Sequence, residues 1–136
     1  MSPTSARGTK ISHIGIAVGG HSETAKFLTE ILGLKEVALD DSDGAAIRGY
    51  DAQGSLVELL AARDDASPIA KFLAKRGPGI HHICFAVDDL DATLEKCRES
   101  GIELVDIKPR VGAEGKRIAF IHPRSTGGIL VELSEH

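Results

Sequence analysis

The sequence is poor in the features that mark several large classes of protein. It has only two cysteines, Cys84 and Cys97, one in an expected strand and the other in an expected helix. Without an export signal, two free thiols in a reducing cytoplasm are expected rather than a disulfide framework. No apolar run approaches the roughly 18–20 residues of a spanning helix, so no membrane partner is expected. Residues 1–10 lack the apolar core of a secretory signal and are expected to form a flexible tail. An excess of basic charge is missing too. The net charge is −4 with acids and bases interspersed, which argues against nucleic acid as a partner. Low-complexity stretches are absent. A hydrophobic fraction of 42% and a charged fraction of 26% suit an ordinary globular protein, one domain or two small halves.

What the sequence does contain is an internal repeat, the first thing to look for in any chain. His13-Ile14-Gly15-Ile16-Ala17-Val18 is said again as His82-Ile83-Cys84-Phe85-Ala86-Val87. Gly33 follows the first copy and Gly101 the second at nearly the same interval. Leu56-Val57-Glu58-Leu59 closes the first half, and Leu130-Val131-Glu132-Leu133 closes the second. One His and one Glu therefore recur at matching places.

Read in order, residues 11–18 suit a strand with Ile14, Ile16 and Val18 on one face. His13, Gly15 and Ala17 share the other, small-sided face. Ser22 is the expected N-cap of a helix carrying Ala25, Phe27, Leu28, Ile31 and Leu32, with Gly33 as its stop. An extended stretch (34–39), an acidic turn (40–44), a strand (45–50), a hairpin turn (51–54) and a strand (55–61) follow. Ser67-Pro68 starts a bridging helix to Arg76, stopped by Gly77-Pro78-Gly79. The second half repeats the plan: a strand at 81–87, a helix capped by Asp88 or Asp89, then strands at roughly 102–107, 116–121 and 128–134. The expected division is a tail (1–10), a first βαβββ module (11–63), a bridging helix and linker (64–79) and a second βαβββ module (80–136).

The repeated residues carry the chemistry. A carboxylate inside Leu-Val-Glu-Leu is costly to bury unless a cation or several donors meet it. Two His and two Glu converging on a divalent metal satisfy that condition. Imidazole nitrogen and carboxylate oxygen suit Co²⁺, Ni²⁺, Zn²⁺, Mn²⁺ or Fe²⁺, and four protein ligands leave two octahedral positions for substrate oxygens. His81, on the opposite face by parity, reads as structural; His122 reads as turn architecture; Cys84 shares the face of His82.

In these residues the chain resembles the vicinal oxygen chelate (glyoxalase) superfamily, and within it the methylmalonyl-CoA epimerases. The resemblance runs over residues 11–134 and is carried by the His13 and His82 strands and the closing Leu-Val-Glu-Leu strands. More discriminating are Ser67-Pro68-Ile69-Ala70-Lys71-Phe72-Leu73 and His122-Pro123-Arg124-Ser125-Thr126-Gly127-Gly128. It implies an α+β fold in which two βαβββ repeats form a curved mixed sheet around a metal cleft. It also implies metal ligands at His13, Glu58, His82 and Glu132, with Co²⁺ the first choice, and a homodimer. The activity implied is epimerisation of methylmalonyl-CoA or a related acyl-CoA by proton abstraction at the α-carbon, with Glu132 one of two bases. Lys71, Lys75 and Arg76, and also Lys116, Arg117 and Arg124, are cations that CoA phosphates could meet.

The chain departs from that pattern once. The family's second base is a glutamate two residues before a glycine in the turn after the second strand; counting back from Gly44, Ser42 stands there, between Asp41 and Asp43. Three readings are open. Asp41 or Asp43 takes the role; or Glu58 and Glu132 both transfer protons, as in the similar glyoxalase I enzymes; or the reaction is a different one. The alternatives are a glyoxalase I-type isomerisation, a dioxygenase (disfavoured because such iron sites use two His and one carboxylate) and a non-catalytic binding protein.

Overall fold

A computed structural model describes residues 7–136; most of the expected N-terminal tail, residues 1–10, lies outside the described residues. Two compact units divide the chain. One comprises residues 13–81, the other residues 82–136 with the segment ending at residue 12. Among the described residues, no helix is long and apolar enough to cross a membrane.

The first unit takes in most of β1 (Lys10–Ala17), then α1 (Ser22–Lys26), β2 (Lys35–Val37), β3 (Ala45–Ala52), β4 (Ser55–Ala62) and α2 (Pro68–Arg76). Its strands lie in the order β2-β3-β4-β1. The first strand is parallel to the last, Gly15 facing Glu58, while β4–β3 and β3–β2 are antiparallel. Alternation along β1 separates two cores. Val18 and the half-buried Ile16 pack with Ala25, Leu28, Tyr50 and Leu59, whereas Ala17 packs with Ala45, Leu60 and Ile69 on the opposite face. The hairpin from β3 to β4 turns on Gln53 and Gly54 alone, at φ 58° and 91°. A two-residue turn of that hand matches the strand twist, and Asp51 Oδ1 accepts the Gly54 N–H at 3.0 Å.

The first helix differs from expectation at both ends. Ser22 is its first residue rather than its cap. The cap position is His21, which makes no capping bond and instead bonds the Ala46 carbonyl through Nε2 at 3.0 Å. Beyond Lys26 the helix widens into a π-turn, Phe27–Ile31, with Leu32 N–H donating to Phe27 O. Thr29 Oγ1 bonds the Ala25 carbonyl at 2.9 Å, the competing side-chain bond that bends helices at Ser and Thr. Gly33, at φ 71°, ends it as the sequence requires.

In the second unit β5 (Gly79–Val87) leads to α3 (Leu90–Glu99), β6 (Arg110–Val111), β7 (Arg117–Ile121) and β8 (Val131–Glu135). The strand order is β5-β8-β7-β6, again with first and last strands parallel and the rest antiparallel. Asp89, not Asp88, caps α3 by accepting the Ala92 N–H at 2.9 Å. Asp88 accepts the backbone N–H groups of Arg7 and Gly8 at 2.8 and 3.0 Å, which holds its carboxyl below the usual carboxylate range. The core comprises Val87, Leu90, Leu94, Ala119, Ile121 and Leu133.

The strand expected at 102–107 is not formed. Leu104 makes a single bridge to Ile121, and the two-residue β6 lies after Pro109 rather than before it. Proline has no N–H to extend the ladder. In place of a strand, the Asp106 carboxylate accepts the Phe120 N–H at 2.8 Å and the Arg110 Nε–H at 3.0 Å. The last strand, expected from residue 128, begins at Val131.

Two substitutions test this account. Asp106→Ala strips an acceptor from β7 and is expected to cost about 1–3 kcal/mol in urea unfolding, with Asp106→Asn costing less. Leu94→Ala, at a side chain 1% exposed, is expected to cost about 2–5 kcal/mol by the same measurement.

Candidate active site

In the first unit His13 and Glu58 meet. His13 is 5% exposed and Glu58 2%, and His13 Nδ1 lies 3.3 Å from Glu58 Oε2. The ladder sets the pair. Glu58 stands opposite Gly15, two residues along β1 from His13 and on the same face. Because Gly15 has no side chain, nothing stands between imidazole and carboxylate.

The second unit builds the same pair with the same offset. Glu132 stands opposite Cys84, two residues along β5 from His82, and His82 Nε2 lies 3.0 Å from Glu132 Oε1. Both side chains are buried. Phe120, directly across β7 from Glu132, sets its ring edge-on to His82, with centroids 5.5 Å apart and an angle of 73°. The Arg110 guanidinium lies 5.6 Å from the Phe120 centroid, so the Asp106–Arg110 pair supports the ring that steadies His82. Neither Phe120 nor Arg110 is singled out by the sequence. The only signal available was Phe120's place on the Glu132 face once the β7–β8 register is known.

The two pairs suit a divalent cation. Donors about 2.1 Å from one ion stand about 3.0 Å apart at a right angle and about 3.4 Å apart at a tetrahedral one. The observed separations, 3.0 and 3.3 Å, fall in that range. Imidazole nitrogen with carboxylate oxygen is also the donor chemistry that such ions prefer. Asp89, Asp91 and Glu135 also lie close together, but their oxygens cap α3 and hold Arg117.

The acidic turn resolves into unequal members. Asp41 is committed to structure: Oδ1 accepts the Ile47 N–H at 3.0 Å and Oδ2 meets Arg63 at 3.2 Å. Ser42 pairs with Ala45 in an isolated bridge, and its hydroxyl lies 3.4 Å from Asp43 Oδ2. Asp43 is exposed and sits at φ 53°, followed by Gly44 at 75°. A Cβ on Gly44 would stand 3.3 Å from Pro68 Cδ and Ser67 Oγ, so the turn is seated against the start of α2. His81 stacks edge-on with Phe72, 5.1 Å between centroids. His122 caps the turn at Pro123–Ser125, accepting the Arg124 N–H through Nδ1 at 3.0 Å. Cys84 and Cys97 are free thiols, the first buried, and burial pushes the Cys97 thiol up.

Comparison with known proteins agrees with this architecture. Residues 12–120 match the glyoxalase/bleomycin resistance protein/dioxygenase superfamily. The chain is 37% identical over 128 residues to an uncharacterized protein, YqjC, of Bacillus subtilis (93% of this chain, 91% of that one). It is 34% identical to the ethylmalonyl-CoA/methylmalonyl-CoA epimerase of Cereibacter sphaeroides (93% and 97%). A solved methylmalonyl-CoA epimerase in complex with methylmalonyl-CoA and NH4⁺ superimposes with a TM-score of 0.86 at 32% identity, covering 93% of this chain and 94% of the other. The chain belongs to the glyoxalase/bleomycin resistance protein/dioxygenase superfamily and, within it, to the methylmalonyl-CoA epimerase family of isomerases.

Proposed function

We propose that this chain epimerises methylmalonyl-CoA, or a close 2-alkylmalonyl-CoA, at the α-carbon. The observation that carries the reading is the buried His–Glu pair built twice with the same offset, His13–Glu58 and His82–Glu132. The substrates named for the C. sphaeroides relative and bound in the solved epimerase support the choice of acyl group.

His13, Glu58, His82 and Glu132 are the residues proposed to hold one divalent cation, with Co²⁺ the first candidate. When bound, the ion supplies electrophilic stabilisation for negative charge developing on the substrate's carbonyl oxygens. The proton itself must leave one face of C2 and return to the other, so two carboxylates are needed, each base in one direction and acid in the other. Glu132 is proposed as one. For the second, Glu58 is favoured because it is buried beside its own imidazole at the place in its unit that Glu132 holds in the other. Asp43 is the competing base, and Asp41 drops out because both its oxygens are engaged. The imidazoles of His13 and His82 orient the carboxylates from 3.3 and 3.0 Å. Burial of both pairs keeps water from competing for the donors. Assembly as a homodimer is part of the same reading.

The decisive experiment is exchange at C2. The Co²⁺-loaded protein, given one epimer of methylmalonyl-CoA in D₂O, is expected to wash out the C2 proton with racemisation, followed by NMR. Glu132→Gln is expected to slow this about 100-fold or more. Glu58→Gln is expected to do likewise and Asp43→Asn to change little; the reverse order would move the second base to Asp43. No exchange at all, with metal bound, would sink the reading. Removing metal with a chelator is expected to lower the melting temperature and refilling to restore it, and His82→Ala to abolish that shift.

A further inference from the structure

The repeat that builds the His–Glu pair twice does not build its surroundings twice. Across the antiparallel ladder from Glu58 stands Gly49, where a Cβ would lie 2.5 Å from Leu39 Cδ1, so an aliphatic side chain fills that place. Across the matching ladder from Glu132 stands Phe120, whose ring meets His82 edge-on. At this one position the first unit has no ring and the second unit has one.

A ring there matters because an imidazole does not set its own plane. The torsion that turns a His ring on its stem is broad and roughly two-fold, and so is that of Phe. Glu132 Oε1 holds one atom of His82, Nε2 at 3.0 Å, and leaves the plane to be set by contact. Phe120 supplies that contact at 5.5 Å and 73°. The phenyl ring needs support in its turn. Arg110 stands opposite Ile118, two residues from Phe120, so its side chain rises on the same face of the sheet. Its guanidinium lies 5.6 Å from the Phe120 centroid. The half-buried Asp106 fixes both partners with one carboxylate. Oδ1 accepts the Arg110 Nε–H at 3.0 Å, and Oδ2 accepts the Phe120 N–H at 2.8 Å. The Phe120 carbonyl accepts the Val105 and Asp106 N–H groups at 2.9 and 3.3 Å, which closes the bracket from the other side. Where a full strand was expected, the chain forms this bracket.

We propose that Asp106 and Arg110 are positioning residues for His82 and act on it through the plane of the Phe120 ring. Their role rests on the reading of His82 and Glu132 as cation donors. A neutral imidazole offers its lone pair in the plane of the ring, so a ring left to turn spends part of its time aimed away from a cation. Groups that orient a metal-binding imidazole contribute about 10–100-fold in affinity. The chain of planes runs from a carboxylate that fixes a guanidinium, to the guanidinium that fixes a phenyl ring, to the phenyl ring that fixes the imidazole. The two His–Glu pairs are then unequal. His82 is aimed by its own unit before anything binds, whereas Gly49 gives His13 no such ring.

The test uses the whole chain, with and without Co²⁺. In the metal-free protein the His82 ring protons are expected to carry a ring-current shift from Phe120, read by NMR. That shift is expected to shrink in R110M, to return in large part in R110K, which keeps a cation over the ring, and to hold in R117M. Arg117 is the control because it also meets two acids, Asp91 and Glu135, in the same unit. Affinity for Co²⁺, read by competition with a coloured chelator, is expected to fall about tenfold or more in R110M and D106A and to stay at the wild-type value in R117M. D106N keeps an acceptor for the Phe120 N–H but loses the charge on Arg110, and is expected to fall between. Because Arg110 acts through the ring, R110M placed on F120A is expected to add no further loss. A His82 shift or a Co²⁺ affinity that R110M leaves unchanged would overturn the proposal, as would losses that add in the R110M/F120A double variant. The NMR arm needs no cation, so a chain that binds no Co²⁺ yet loses its His82 shift in R110M would keep the bracket and lose only the metal reading.

Discussion

Everything specific about this protein depends on burying a carboxylate beside an imidazole. A glutamate 2% exposed in an apolar strand is an expensive feature unless its charge is met at hydrogen-bond range. Strand geometry sets an imidazole 3.3 Å from that carboxylate. Parallel pairing of the first and last strands of a module puts Glu58 opposite Gly15 and Glu132 opposite Cys84, and a histidine two residues upstream then lies on the same face. Parallel neighbours cannot be joined by a tight turn. The helix and two antiparallel strands between them are therefore the connection that the pair requires as well as its packing.

How much of this could be read from sequence follows from what sequence encodes. Side-chain parity is written in every strand, so the faces of His13, His82, Glu58 and Glu132 were legible, and the repeat made the coincidence hard to miss. The hairpin turn expected at 51–54 was legible, and the structure narrows it to Gln53 and Gly54, with β3 running on through Ala52. The segment at 102–107 was misread because hydrophobic content says nothing about where a neighbouring proline interrupts a ladder. Pro109 and the Asp106 side chain decide that, and the second acts through a contact 14 residues away. The π-turn at Phe27–Ile31 leaves the apolar spacing of a helix nearly intact, so periodicity does not report it. Within the site, Phe120 and Arg110 stayed hidden for the same reason: their roles come from register, which no single strand carries.

The acidic turn shows the opposite case, in which structure separates residues that look equivalent on paper. Asp41, Ser42 and Asp43 form one polar run. Yet Asp41 is fully occupied in holding the turn to β3 and to Arg63, Ser42 bridges Ala45, and Asp43 alone projects from a left-handed residue. Ser42, at the position where the resemblance implies a glutamate, is thus held in the turn's own bridge, while the carboxylate that projects is its neighbour.

The parallel closure of each module has a kinetic side. The β3–β4 hairpin joins residues a few positions apart and can form early, whereas β1 meets β4 only after more than 40 intervening residues are in place. The His–Glu pair is made by that late contact. Each module therefore completes its His–Glu pair at the same moment as its fold, and a chain caught part-way through folding would present neither pair.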